Sequence, residues 1–167
     1  MTTRDHLVHR LQELYAYERD VLPLIMEMQH TAGDERVCLV LRQMRDELRS
    51  ELETLEQGIN LLSAHVRQER STMVPGLHEA LSRFKHQLNP SQEQWAMHTV
   101  LVALTIVYDI LGAYAGDHAL ASATGESDVV LLLEENRRKA QGTQRRLASS
   151  MTTLVAENGQ HESRRAA

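Results

Sequence analysis

Residues 7–28 read LVHRLQELYAYERDVLPLIMEM. Leu7, Leu11, Leu14, Glu18, Val21, Ile25 and Met28 recur at alternating steps of four and three. That spacing lines one stripe of an α-helix and packs against a second helix as a coiled-coil seam does. One member of the stripe is an acid, Glu18, where an apolar side chain is expected. Pro23 has no N–H to reach the carbonyl of Arg19, so a kink is predicted one turn beyond Glu18.

Three further long helices follow the same pattern. The second is predicted from about Glu35 to Ala64, with Val37, Leu41, Met44, Leu48, Leu52, Leu55, Ile59 and Leu62 in its seam and Glu47 and Glu51 flanking it. The third is predicted from Ser91, an N-cap, to Ala121, with Met97, Val100, Leu104, Val107, Leu111, Tyr114 and His118 facing inward. The fourth is predicted from Asp128 to Glu157, with Val130, Leu133, Arg137, Ala140, Gln144, Leu147, Met151 and Leu154 in register. Thr31–Asp34 and Thr124–Ser127 make short links. Pro75-Gly76 and Asn89-Pro90 bracket a short amphipathic helix carrying Leu77, Leu81, Phe84 and Leu88. Short first and last links with a long middle one imply two antiparallel hairpins joined by a crossover, which is the topology of ferritin-like four-helix bundles. The expected organisation is one bundle over residues 1–158 and a flexible tail over 159–167.

The chain has 167 residues, enough for one core. Aromatics make up only 4%, which disfavours a β-sandwich. A net charge of −5 argues against nucleic acid as the main partner. The one cysteine, Cys38, suits a reducing compartment, and the polar start (residues 1–6) lacks a signal-peptide pattern, so a cytoplasmic location is expected. Residues 99–116 (TVLVALTIVYDILGAYAG) approach the length of a membrane span. Asp109 in their middle favours a helix buried in a soluble bundle, with no membrane partner.

Carboxylates stand at mid-helix in several helices: Glu18, the pair Glu47 and Glu51, Asp109, and Glu134 and Glu135. Hard divalent cations take oxygen ligands, and facing bundle helices can supply a dinuclear iron or manganese site. The same acids can instead be neutralised inside the bundle by arginine, and Arg137, with Arg138 beside it, is the expected partner. His6 and His9 near the start, His118 and Cys38 lack the company a catalytic or metal site needs.

Several segments carry a family resemblance. Leu14-Tyr15-Ala16-Tyr17-Glu18 resembles the Leu-Tyr-x-x-Glu opening of the YciE/YciF-like ferritin-like proteins. Met73-Val74-Pro75-Gly76-Leu77, Tyr108-Asp109-Ile110 and Leu132-Leu133-Glu134-Glu135 are similar to that family's crossover and last two helices, so the resemblance spans about residues 7–155. It implies a bundle, often dimeric, with a di-iron-type site and stress-linked roles. The chain departs from the pattern. Met44 and Glu51 stand where the family tends to carry His. Ile106 replaces the first acid of the third helix, and Lys139, Ala140 and Gln144 stand where the fourth tends to carry acids. The expectation is a homodimeric, stress-linked structural or interaction protein with a degraded di-metal site, no cofactor and no catalytic residue. The alternative is a protein holding two iron or manganese ions, with oxidase, peroxide or metal-handling activity.

Overall fold

The computed structural model describes residues 2–165, with side chains to residue 160. Five helices follow one another: α1 (Thr3–Thr31), α2 (Glu35–Leu61), α3 (Val74–Leu88), α4 (Gln92–Thr124) and α5 (Ser127–Arg165). The four long ones close a ring in which α1 packs on α2 and α4, and α5 packs on α4 and α2. This is the expected all-α bundle, with α3 in the crossover.

Local chemistry sets the ends. Thr2 and Ser91 each form a capping box, with Asp5 and Gln94, and Asp34 accepts from the N–H groups of Arg36 and Val37. α4 stops at Gly125, whose positive φ of 75° lets its N–H return to the carbonyls of Ala121 and Ser122. α1 runs through Pro23 without ending. α5 runs on to Arg165, past the expected boundary at 158, because a single Gly159 does not stop a helix. Residues 166 and 167, the rest of the expected tail, lie outside the described residues.

The seam of α1 is buried as expected, Glu18 included. α2 keeps its expected seam except at one position, and in α4 and α5 the inward side is turned by one residue between the anchors. α2 buries Glu51, with Leu52 only partly covered. α4 buries Ala103, Ile110 and Asp117 in place of Leu104, Leu111 and His118. α5 buries Asn136 and Thr143 in place of Arg137 and Gln144. α4 is the one helix among the described residues long and apolar enough to cross a membrane, and here it packs between α1 and α5.

Candidate functional site

Each long helix sends one polar side chain to the same buried place: Glu18 from α1, Glu51 from α2, Tyr114 from α4 and Asn136 from α5. The Tyr114 hydroxyl donates to Glu18 Oε1 at 2.6 Å and lies 3.5 Å from Glu51 Oε2. Asn136 Nδ2 donates to the Tyr114 oxygen and to the backbone carbonyl of Glu51, both at 3.0 Å. Burial pushes both carboxyls well above the usual carboxylate range. For Glu51 the charges of Glu18 and Glu47 push further, against a smaller pull from Lys139. Glu18 Oε2 and Asn136 Oδ1 are buried without a hydrogen-bond partner. Two carboxyls this close in an apolar interior hold protons in preference to two negative charges.

Glu47, one turn before Glu51, turns outward to α5 and accepts from Thr143 Oγ1 and from Nη2 of Arg146. Arg146 therefore occupies the role expected of Arg137 or Arg138. Arg137 reaches Glu134 at 3.6 Å, and Arg138 Nε donates to the Glu134 carbonyl. Glu135 pairs with Lys139 at 2.9 Å. Glu134, Glu135 and both arginines thus lie on the outer side of α5, away from the buried pair. The reason is the register. Asn136 fills the inward position with a small neutral side chain that matches every donor it offers. An inward Arg137 would carry a desolvation penalty of several kcal/mol.

Asp109 is also apart from the pair. It sits on the flank of α4 nearest α1 and accepts from the Tyr17 hydroxyl at 3.1 Å. Two turns on, Asp117 is buried and meets Arg10 Nε at 3.1 Å. Burial raises the Asp117 carboxyl, and Arg10 pulls it part of the way back. Sequence reasoning missed Tyr114, Asp117, Asn136, Thr143 and Arg146 as site residues. The spacing already turned Tyr114 inward, and taking the step of three before the step of four from Val107, through Ile110 to Tyr114, would have reached Asp117 as well.

Of the six acids singled out from the sequence, the fold brings together Glu18 and Glu51, with Glu47 at their edge. Among the described residues no three His, Cys, Asp or Glu side chains gather closely enough to hold a metal ion. A dinuclear site draws on carboxylates from all four helices and on His from two. Here α4 contributes a phenol and α5 an amide. This donor set does not fit two divalent ions.

The model of a family described as a domain of unknown function, DUF892, matches residues 2–159. No curated protein matches the chain. Among solved structures, the Escherichia coli stress protein YciF superposes with a TM-score of 0.86 at 16% identity, covering 93% of this chain and 98% of that one. YcfI of Rhodopseudomonas palustris, for which a structural role has been put forward, gives 0.83 at 19% identity, covering 89% and 94%. A protein of Xanthomonas campestris gives 0.78 at 15% identity, covering 97% and 99%. At these identities the likeness is one of fold.

Proposed function

We propose that this chain, which belongs to the DUF892 family of domains of unknown function, is a stress-linked structural or interaction protein, homodimeric as its resemblance implies, with a di-metal site that has become a proton-holding polar core. One observation carries the reading: the buried carboxyls of Glu18 and Glu51 share the Tyr114 hydroxyl, which Asn136 braces, so α4 and α5 place neutral hydrogen-bond donors here in place of the carboxylates of a dinuclear site. The third acid, Glu47, is neutralised by Arg146. Arginine and protons thus supply the positive charge that two metal ions would bring. The chemistry left to such a core is to specify how the four helices meet, because each contributes one member and a mismatch would strand a buried polar group.

The test is elemental analysis of protein purified without chelators from culture supplemented with iron and manganese. The expected result is far less than one metal per chain, with a melting temperature unmoved by either ion. About two metals per chain, lost in Glu18→Ala, would overturn the reading and establish the di-iron or di-manganese alternative. One observation favours that alternative: Glu18 Oε2 is buried without a partner, as a ligand atom lacking its ion would be.

A further inference from the structure

Away from the buried pair, α1, the near flank of α4 and the crossover segment 67–73 enclose an open-mouthed cavity of about 490 Å³. That volume suits a small molecule. We propose that it binds a small hydroxylated anion, of the sugar-phosphate or sugar-acid type. The reading stands apart from the function proposed above, since neither Glu18 nor Glu51 lines the cavity, and either can fail alone.

The floor combines apolar wall with one acceptor. Leu14 and Ala113 line it, and Gly112 leaves the α4 backbone bare, with nothing within 4 Å of where a Cβ would stand. Asp109 takes the Tyr17 hydroxyl on Oδ2. A carboxylate has lone pairs to spare beyond one such bond, so hydroxyls of a ligand can donate to it.

The rim supplies the opposite charge. Arg67 and Arg70 come from the crossover, and the nearest acid to Arg67 is Glu69 at 3.9 Å, the edge of an ion pair. Their planar donor forks match a carboxylate or phosphate group. Arg10, by contrast, is already engaged with Asp117 and Glu13. Glu13 and Glu69 also line the mouth, and they repel an extended polyanion while accepting from a ligand's hydroxyls. The chemistry selected is one anionic group on a hydroxyl-bearing body.

The crossover wall is held in place before any ligand arrives. Gln12 Nε2 donates to the carbonyl of His65 at 2.8 Å and Arg19 Nη2 to that of Glu69 at 2.6 Å, and Asp20 accepts from the Ser71 N–H at 2.7 Å. A preformed wall removes much of the ordering cost of binding.

The experiment is a titration of the full chain, followed by backbone amide NMR, with glucose 6-phosphate and with gluconate, and with glucose and inorganic phosphate as controls. Saturable shifts at Gly112, Ala113 and Arg70 are expected for one or both hydroxylated anions, and which of the two binds distinguishes ester from acid. Arg67→Ala/Arg70→Ala should weaken binding at least about tenfold. Gly112→Leu should abolish it with no fall in melting temperature, since the added side chain meets open space. The proposal is overturned by an absence of saturable binding up to about 10 mM, by equal binding in Gly112→Leu, or by inorganic phosphate binding as tightly as glucose 6-phosphate.

Discussion

Tyr114 has one proton to give and faces two carboxyls, and that shortage governs how the core responds to pH. Glu18 and Glu51 are both raised above their unfolded values, chiefly by burial, so the folded protein holds protons that the unfolded chain releases. Their contribution is complete below the ordinary carboxylate range and is lost as pH rises through the raised values. Urea unfolding of the wild type should therefore show stability falling from about pH 5 upward, by as much as about 1.4 kcal/mol per pH unit for each such group. Glu18→Gln keeps an acceptor for Tyr114 and cannot ionise, so it should flatten the fall and be more stable than wild type at alkaline pH. Parallel profiles for the two proteins would refute this. Tyr114→Phe strands both Asn136 Nδ2 and Glu18 and is expected to cost about 1–3 kcal/mol in the same assay.

In α4 and α5 the pattern revealed one residue in seven securely. Leu133, Ala140, Leu147 and Leu154 in α5, and Val100, Val107 and Tyr114 in α4, are buried as the spacing predicts. The member between each pair was not legible. At 3.6 residues per turn either the third or the fourth residue can face inward. In α1 both members of the pairs Tyr17/Glu18 and Leu24/Ile25 are buried, so the expected seam lands in the core whichever is chosen. In α5 the choice lay between Asn136 and Arg137 and between Thr143 and Gln144, all polar, and only packing decides. Glu18 was legible because apolar neighbours fix its phase, whereas Asn136 and Arg146 depend on which helix lies opposite. Arg146→Ala should consequently lower the melting temperature measurably, by leaving half-buried Glu47 unpaired, while Arg137→Ala should stay within about 0.5 kcal/mol of wild type. An equal effect of the two would show that the arginines share the work. The short α3 buries only Leu81. Its amides should exchange with solvent faster than those of the four long helices, and Leu81→Ala should speed exchange in α3 alone. Equal protection throughout would mean that α3 unfolds only with the bundle.

Across the whole molecule, topology was readable from loop length. Three-residue and two-residue links force antiparallel neighbours, and the long crossover joins the two hairpins. The cavity was not readable, because it joins α1, α4 and the crossover, which are far apart in the chain. The homodimer implied by the family resemblance is expected to appear in light scattering as a species of twice the chain's mass. A monomer at micromolar concentration would remove that part of the proposal.

The crossover is fastened to α1 through its own main chain: the groups engaged are the His65 and Glu69 carbonyls and the Ser71 N–H. Every amino acid brings a carbonyl, and every one but proline brings an N–H. The fastening is therefore indifferent to which side chains the exposed residues 67–70 carry. Evolution can rewrite the rim there without dismantling the wall behind it, and a randomised library at Arg67, Gln68 and Arg70 would change what the mouth admits while most of its members keep the fold.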